Sequence, residues 1–535
     1  MAVIHVTDAT LQGQLTGSEY TGPVEQGATF TGDVIYQDAP NPPNPEPAPD
    51  DFWTAFVATT PSGEGSSFSG AGTRKIYVAA KGNDNNTGSQ TSPKKTIAAG
   101  VAQLRSGKPD WLLLNKGDVW SDQQLSVTSK AGKSATEPML IGAYGTGARP
   151  SIQFVRDEWE PVARFTSCSN VFVVGLDFYA YKRDPDNPSF KAGAIDGERS
   201  NAHGFSLEGS GSNFTLEDCM LRFYRTNLSC IGPYDTVALR RCVILDAYDW
   251  QQPSSGNTQG VFFSYSKNNI LEQCILDGNG HNDQLGHTPI MLSHASYFRQ
   301  PNSQGNGTTG PGTVTGCWIS RNSADGGGLR RGGSFTRNLS TLHANGFDIG
   351  HNKDDAEGGA ITSSADVSDN VIVRSQNVSA GRTGHGMCII SCESSGVKIH
   401  NNIVAHLHPN ARHTGGGAGA IWAQPIYLEK CKGINVTDNI IYDWPTDDNR
   451  AVYDAQSGGG NAIDPNAVDM AGANTARYPD PARTLGSYYA SIGGANDEVA
   501  LINAVRRQSK DNWDDRLTAK AVINYIRAGF NMKPV

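Results

Sequence analysis

Four carboxylates crowd into one short stretch of the chain. The segment HANGFDIGHNKDDAEGG, residues 343–359, contains Asp348, Asp354, Asp355 and Glu357. Paired carboxyl groups can act as acid and base in glycoside cleavage, and their oxygens also bind calcium. Neighbouring strand residues point to opposite faces, so Asp354 and Asp355 can act together only if this segment is a loop. A solvated acidic turn is the alternative interpretation.

A histidine and two arginines could supply the other groups that sugar chemistry needs. His385 stands in the sequence GHG, and Arg330 and Arg331 stand in GLRRGG. Elimination from a uronic acid needs a cation for the substrate carboxylate and a base for the C5 proton. Arg331 with His281 or His385 could fill these roles, or the arginines could pair with nearby acids. The predicted catalytic residues are Asp348, Asp354, Asp355, Glu357, His385 and Arg331.

The insertions that separate the repeats of this chain are its most polar parts, and ten of the twelve histidines lie between His281 and His413. Insertions at one phase of a stacked repeat emerge along one edge, so these side chains should line a groove. Carboxylate and guanidinium groups bind hydroxyl and acid groups, and Trp rings stack on sugars. The predicted substrate-binding residues are Trp250, His281, Asp283, His287, Arg330, Arg382 and Trp422.

A repeated phrase marks the elements that must position these residues. Between Gly204 and Trp444 a short strand reaches a Cys or Asn and continues with β-branched or aliphatic residues, with shortest intervals of 21 and 23 residues. Such self-similarity is typical of a stacked solenoid. We predict an all-β, right-handed parallel β-helix, with an antiparallel sandwich as the alternative. The repeat residues, which should form an interior ladder, are Cys219, Cys242, Cys274, Cys317, Asn338, Asn370, Asn402 and Asn439.

The nine cysteines are an odd number and lie between Cys168 and Cys431. Four of them occupy the repeat position, which indicates buried free thiols rather than a disulfide framework. Cys388 and Cys392 are four residues apart, but no matching pair completes a zinc site. We therefore predict no metal centre from the cysteines, and the acidic segment leaves calcium open as a cofactor.

Charge and hydropathy argue against several kinds of partner. The net charge is −9 without a Lys/Arg run, which disfavours nucleic acid. No apolar run approaches the ~20 residues of a membrane span. The first residues, MAVIHVTDATLQGQ, lack the charged and apolar regions of a secretion signal. Either a signal was removed or the protein leaves its cell by another route.

The opening of the predicted solenoid has a characteristic order of elements. KIYVAAKGNDNNTGSQTSPKKTIAAGVAQL reads as a strand, a turn-rich loop and a helix-compatible stretch, and DWLLLNKGDVW follows as a strand. This order resembles the pectate-lyase-like superfamily of right-handed β-helices over about 75–445. The resemblance implies the fold and leaves the reaction open, because that superfamily contains lyases, hydrolases, epimerases and non-enzymes. The matching residues are Tyr77, Val78, Gly82, Asn83, Asp84, Gly88, Pro93, Thr96, Ile97, Gly117 and Asp118.

A double Asp followed by Gly-His-Gly also resembles the polygalacturonase-type hydrolases, which use a parallel β-helix. The sequence NGFDI around Asp348 adds to this resemblance. Two features depart from it. The Asp pair follows NGFDI too closely, and VKIH at 397–400 stands where an Arg-Ile-Lys signature would be expected.

The composition divides the chain into three parts. Residues 1–49 form an N-terminal module with a Pro-rich linker, APNPPNPEPAP, which favours a semi-rigid polyproline II spacer. Residues 50–445 form the β-helix. Residues 446–535 form a capping region in which NDEVALINAVRRQ and RLTAKAVINYIRAGF show helical spacing, with Asn496 and Asp497 as caps. We expect these two helices to cover the open end of the solenoid, which would otherwise expose a strand edge.

A short module, a Pro-rich spacer and a β-helix body resemble the layout of phage tailspikes. This implies an extracellular, virion-borne depolymerase that acts on a bacterial surface or extracellular glycan, is attached through its N-terminal module and forms a homotrimer. The helical C-terminus departs from the β-rich trimerisation end of many tailspikes. A secreted bacterial polysaccharide lyase or hydrolase is the first alternative, and a non-catalytic, glycan-binding adhesin is the second. The sequence sets neither the sugar nor the choice between hydrolysis and elimination.

Overall fold

A computed structural model describes the backbone of 2–5, 15–16, 19–20 and 35–38. Contacts divide the chain into two units, 1–67 and 68–535. In the second unit the structure describes residues 72–155, 160–191, 202–250, 258–287, 289–290, 292–299, 310–350, 364–377, 384–390, 392, 396–411, 423–446, 450–455, 460–464 and 467–535. In the first unit two antiparallel pairs are described, Ala2–His5 with Ile35–Asp38 and Leu15–Thr16 with Glu19–Tyr20.

The second unit is a right-handed parallel β-helix, which confirms the predicted fold. Its strands form three all-parallel sheets of 13, 12 and 11 strands, and successive coils visit the sheets in that order. Parallel crossovers of this kind are right-handed because of the intrinsic twist of the strands. Strands of these sheets occur from Lys75 to Asp469, so one further coil lies beyond residue 445.

The sides of each coil are short. The 13-stranded sheet contains Lys75–Val78, Trp111–Asn115, Met139–Tyr144, Ser169–Val174, Ser212–Glu217, Thr236–Arg240, Asn268–Glu272, Gly312–Thr315, Gly333–Thr336, Ala365–Ser368, Val397–His400, Asn435–Thr437 and Ala462–Asp464. The 12-stranded sheet contains Val119–Ser121, Ser151–Gln153, Asp177–Tyr179, Met220–Arg222, Val243–Leu245, Ile275–Asp277, Trp318–Ser320, Leu339–Thr341, Val371–Val373, Ile403–Ala405, Ile440–Tyr442 and Ala467–Asp469. The 11-stranded sheet contains Leu125–Thr128, Pro161–Thr166, His203–Glu208, Thr226–Cys230, Gln259–Phe263, His294–Phe298, Gly328–Leu329, Asn345–Gly350, His385–Ile390, Ile426–Glu429 and Val452–Ala455.

The Cys and Asn repeat residues lie inside the corner between the 13- and 12-stranded sheets. All eight are completely buried. The backbone N–H of Asn338 donates to Asn370 Oδ1 at 2.8 Å, and that of Asn370 donates to Asn402 Oδ1 at 3.0 Å. Asn370 Nδ2 also donates to Asn402 Oδ1 at 2.9 Å. The predicted interior ladder is confirmed, and its amides satisfy one another from coil to coil.

The same corner imposes an unusual backbone conformation. The residue before each ladder position has a positive φ, as at Asp218 (51°), Arg241 (49°) and Gln273 (53°). Side chains disfavour this region, so the stacked hydrogen bonds of the corner must hold these residues in it. Before Cys317 this residue is Gly316, with φ of 64°, which has no Cβ and adopts the conformation without strain.

The nine cysteines are all buried thiols outside any disulfide, as predicted. Four of them continue the ladder from Asn338, whose side-chain oxygen accepts the backbone N–H of Cys317 at 2.9 Å. Burial raises the pKa of the Cys219 and Cys242 thiols well above the ordinary value. These thiols therefore stay protonated and fill the interior as small apolar groups.

The opening segment has the predicted strand, loop and helix. The helix Ile97–Ala102 is capped by Thr96, whose side chain accepts a backbone N–H from the first turn. Asp84 accepts the backbone N–H groups of Lys95 and Thr96 at 2.9 and 2.8 Å. A Cβ at Gly82 would lie 2.3 Å from the Lys94 carbonyl oxygen, which explains the glycine of this loop.

The C-terminal helices lie on the flank of the solenoid, not over its open end as we expected. Three α-helices, Leu485–Ser491, Glu498–Val505 and Ala519–Gly529, share a buried cluster with the outward side chains of the 12-stranded sheet. Strands such as VIL, VIV and IIY are apolar on both faces, as doubly covered parallel strands are. Asp497 caps the second helix, as predicted. The 3₁₀ helices are Tyr181–Arg183, Asp283–Leu285, Pro409–Ala411, Thr475–Arg477, Lys510–Asn512 and Asp515–Leu517.

No helix within the described ranges is long and apolar enough to cross a membrane.

A buried charge cluster ties the helices to this sheet. Asp277 is completely buried, and its carboxylate accepts from Arg321 Nε at 2.9 Å and from Arg506 Nη1 at 2.6 Å. Burial raises the pKa of Asp277, but these guanidinium groups more than offset it, so the pKa is lowered. Arg506 also pairs with Asp246. For Asp246 the effect of burial outweighs this pairing and raises the pKa of its carboxyl group to about 6.

We expect Asn370→Leu to lower the free energy of unfolding by ~1–3 kcal/mol, because it leaves buried ladder partners without their hydrogen bonds. The matched control is Asn268→Leu, an exposed position on the 13-stranded sheet, which should change it by less than about 0.5 kcal/mol. Urea unfolding measures both. Equal effects of the two substitutions would contradict a structural role for the ladder.

Asp277→Asn should cost about 3–5 kcal/mol at pH 7, because it breaks a buried pair on which two arginines converge. Asp246→Asn should cost much less. The pKa of Asp246 is raised from 3.8 to about 6, so its contribution to stability is full below pH 3.8 and is lost as the pH rises through about 6. Thermal melting from pH 4 to 7 should show this pH dependence in the wild type and a weaker one in Asp246→Asn. An unchanged profile would exclude Asp246 as its source.

Candidate functional site

The outer face of the 11-stranded sheet carries one straight row of side chains parallel to the solenoid axis. Strand register aligns one outward residue from each of ten successive strands, and at about 4.8 Å per strand the row is about 43 Å long. We call this the central row. Its members are Arg164, Ser206, Ser229, Phe262, Tyr297, Gly328, Asp348, Cys388, Tyr427 and Tyr453.

Two pairs of stacked rings stand in the central row. The ring centroids of Phe262 and Tyr297 lie 6.0 Å apart with an interplanar angle of 4°. Those of Tyr427 and Tyr453 lie 5.6 Å apart at 6°. All four side chains are half-buried, so each pair keeps apolar surface open to a ligand. The two pairs lie on either side of a polar gap.

The gap contains an ion pair. Arg330 Nη1 donates to Asp348 Oδ2 at 2.8 Å, and the guanidinium lies 5.2 Å from the centre of the Tyr297 ring. A Cβ at Gly328 would lie 3.2 Å from that ring, so the glycine leaves room there. Burial lowers the pKa of Arg330, but the charges of Asp348, Tyr297 and Asp325 more than offset this effect, so the pKa is raised overall. The arginine therefore keeps its charge although only 15% of its side chain is exposed.

A second row of polar residues stands at the start of the strands of this sheet, or a few residues before it, beside the central row. We call it the strand-start row. Within it His294 Nδ1 lies 3.0 Å from Asp325 Oδ2, and Asn345 Nδ2 donates to Asp325 Oδ1 at 2.6 Å. Further along, His385 Nδ1 accepts the backbone N–H of Gln424 at 3.0 Å. The row consists of His203, Thr226, Gln259, His294, Asp325, Asn345, His385 and Gln424.

At the N-terminal half of this face the two rows border a cleft of about 630 Å³. Glu208 pairs with Arg164 at 3.3 Å and accepts from Ser206 Oγ at 3.0 Å. Burial, with the charge of Arg225, lowers the pKa of His203 to about 4, so this imidazole is neutral at pH 7. The cleft is lined by Pro161, Arg164, His203, Ser206, Glu208, Arg225, Thr226, Ser229, Ile231, Gln259, Phe262, Tyr297 and Arg299.

Some of the predicted catalytic residues meet on this face. Asp348 lies in the central row and pairs with Arg330. Arg331 follows Arg330 in the chain and is half-buried. His385 starts the neighbouring strand and pairs in register with Asn345, whereas the register partner of Asp348 is Cys388. Predicted residues outside the described ranges are Asp354, Asp355, Glu357, Arg382 and Trp422.

The other predicted binding residues lie away from the central row. His281 and Asp283 line a second cleft of about 590 Å³ beside the C-terminal helices, together with Arg506. His287 packs against Tyr248, with ring centroids 5.7 Å apart. Trp250 packs against the same tyrosine at 6.2 Å. The structure therefore does not bring these four residues together with Arg330 and Asp348.

The sequence interpretation missed the aromatic residues and the histidine–aspartate pair. Phe262, Tyr297, Tyr427 and Tyr453 stand next to inward residues in QGVFF, HASYF, PIYLE and AVYDA. That alternation was the available signal. His294 and Asp325 are 31 residues apart in the chain and meet only because neighbouring coils are in register.

In the described part of the chain no group of three or more His, Cys, Asp or Glu side chains is placed to hold a metal ion.

The chain matches no protein-family model. It also matches no curated protein. Among solved structures it is similar to a glycoside hydrolase (9% identity, 75% of this chain and 98% of that chain, TM-score 0.43). It is also similar to a pectate lyase (16%, 79% and 86%, TM-score 0.38) and to the Dettilon tailspike protein (10%, 72% and 66%, TM-score 0.36). At these identities and TM-scores the likenesses do not extend to activity or substrate.

Proposed function

We propose that this chain binds a polysaccharide along the central row and cleaves it beside Arg330 and Asp348. One observation carries the proposal. Two stacked aromatic pairs, Phe262 with Tyr297 and Tyr427 with Tyr453, flank a charged gap on one open face. An extended ligand that offers apolar faces and polar edges at regular intervals suits this row.

Binding follows from the chemistry of the side chains. The stacked rings offer apolar surface to the C–H faces of sugar units, and aromatic packing contributes about 0.5–1.5 kcal/mol beyond buried area. Arg164, Glu208 and Ser206 in the adjoining cleft supply donors and acceptors to sugar hydroxyls. Charge-assisted hydrogen bonds of this kind are the stronger ones. The cleft therefore extends the binding surface on one side of the gap.

Cleavage needs groups that move protons at the bond between two sugars. Asp348 and its partner Arg330 lie between the two aromatic pairs, where a bound chain would cross them. Hydrolysis adds water across the glycosidic bond, whereas elimination removes a proton and leaves a double bond in the product. Both reactions cut the chain inside the row, and the products distinguish them.

The experiment is a panel of acidic and neutral polysaccharides with product analysis for the wild type and variants. On the best substrate, Asp348→Asn should lower kcat about a hundredfold, the usual scale for lost acid–base help. Tyr297→Ala and Tyr427→Ala should each raise KM about tenfold, which corresponds to ~1.4 kcal/mol.

The matched control is Asp366→Asn, on the outer face of the 13-stranded sheet with 49% of its side chain exposed. It should behave as the wild type. The absence of both binding and products with every polymer of the panel would contradict the proposed function. Binding without products would reduce it to a glycan-binding adhesin.

The finer role that we propose is a depolymerase carried outside the cell on a phage particle and attached through its N-terminal module. The order of a short N-terminal unit, the Pro-rich segment 39–49 and the solenoid supports it. We expect the full chain to form a homotrimer. Light scattering tests this, because it gives the molar mass of the protein in solution. A monomer would favour a secreted enzyme instead.

A further inference from the structure

A histidine lies against the tyrosine on each side of the polar gap. The rings of His294 and Tyr297 are nearly parallel, with centroids 4.9 Å apart at 11°. Those of His385 and Tyr427 lie 5.1 Å apart at 37°. Both histidines are buried, whereas both tyrosines are half-buried. Each aromatic pair of the central row is therefore in contact with a buried imidazole.

His385 is also bonded to the backbone just before the strand that carries Tyr427. Its Nδ1 accepts the backbone N–H of Gln424 at 3.0 Å, in the interior of the protein. The carbonyl of Gln424 in turn accepts the backbone N–H of Gly386 at 3.0 Å. The strand Ile426–Glu429 begins two residues later. His385 and its neighbour therefore anchor the chain at the point where it enters this strand.

The bond to Gln424 sets which ring nitrogen of His385 carries the proton. A backbone N–H can only donate, so Nδ1 must be the unprotonated nitrogen. In the neutral imidazole the proton is then on Nε2. The lone pair that a general base needs is already engaged with the backbone. This arrangement favours a role in holding the site together over a role as proton acceptor.

Tyr427 is held on its other sides as well. Its hydroxyl donates to Glu429 Oε2 at 3.0 Å, and its ring stacks on that of Tyr453 at 5.6 Å. Burial and the neighbouring carboxylate of Glu429 raise the pKa of Tyr427, so the phenol stays protonated and keeps this donor. A side chain that is fixed before binding loses less conformational entropy when a ligand packs against it. The fixed orientation of Tyr427 therefore favours sugar binding at this aromatic pair.

We propose that His385 is a positioning residue of the glycan site that fixes the ring pair of Tyr427 and Tyr453. The inference rests on the function proposed above, and it replaces the catalytic role predicted from the sequence GHG. His385 contributes to sugar binding on this side of the gap and not to the proton transfers within it. Without its Nδ1, the buried N–H of Gln424 has lost its acceptor, and the start of the strand and Tyr427 leave their binding position.

The test compares variants of the full chain on the best polymer of the panel. His385→Ala should raise KM about tenfold and leave kcat within about twofold, because it weakens binding and removes no catalytic group. His385→Asn should keep KM within about threefold of the wild-type value. The reason is that Asn Oδ1 stands as many bonds from Cα as His Nδ1 and can accept the same N–H.

The chain contains a matched control. His400 Nε2 lies 3.2 Å from Asp366 Oδ1 on the outer face of the 13-stranded sheet. His400→Ala should change neither KM nor kcat, because this histidine lies away from both aromatic pairs.

A double-mutant cycle shows whether His385 acts through Tyr427. Tyr427→Ala alone should raise KM about tenfold. Adding His385→Ala to that variant should raise KM by less than about twofold more, because both substitutions remove the same platform. Effects on KM that multiply independently would contradict this route.

Two results would overturn the assignment. One is a loss of kcat of about a hundredfold in both His385→Ala and His385→Asn, because both lack the imidazole that a catalytic role needs. The other is an unchanged KM in His385→Ala. If His385→Ala does not fold, His385→Asn decides: kcat and KM near the wild-type values support the proposal, and the loss of kcat overturns it.

These outcomes are separable from the function on which the inference rests. Products from the wild type with an unchanged KM in His385→Ala would remove the inference and leave polysaccharide cleavage intact. With a polymer that is bound but not cut, Kd takes the place of KM in the same comparison. The absence of both binding and products with every polymer would instead remove the proposed function, and this inference with it.

Discussion

The register of one coil on the next is the constraint on which the rest of the structure depends. Stacked amides such as Asn370 and Asn402 bond both the backbone and the side chain of the preceding coil. A slip of one residue would exchange the two faces of every strand. The ladder therefore fixes more than the interior. It aligns Tyr297 and Asp348 in one row on the outer face, and it brings His294 to Asp325.

The three outer faces of the solenoid differ in composition and in what packs against them. From Val243 onward the outer side of the 12-stranded sheet is largely apolar and packs against the C-terminal helices. Beneath them Asp277 forms ion pairs with Arg321 and Arg506. The 13-stranded sheet shows small polar side chains such as Thr315 and Thr336, which hydrogen-bond each other. The 11-stranded sheet combines stacked rings, an ion pair and buried imidazoles. That combination makes it the face on which we place the chemistry.

The ladder made the fold predictable, because its Cys and Asn residues recur in the sequence at the corner that they build. It marks only that corner, so the strands of the 11-stranded sheet carry no such recurring residue, and only the alternation within each strand pointed to their outward aromatic residues. Asp348 and Arg330 were found from residue type alone. Asp325 became part of the site only through cross-coil register. The helices were predicted from spacing, but their position depended on the doubly apolar strands, such as Val371–Val373, against which they bury their faces.

The central claim is that a glycan lies along the central row, across the gap that Arg330 and Asp348 occupy. The most direct measurement is a crystal structure of a catalytically slowed variant with an oligosaccharide of the best substrate. The account predicts sugar units on both sides of the gap, in contact with Tyr297 and Tyr427. Density for the sugar in the cleft lined by His281 and Arg506, or on the 13-stranded sheet, would contradict it.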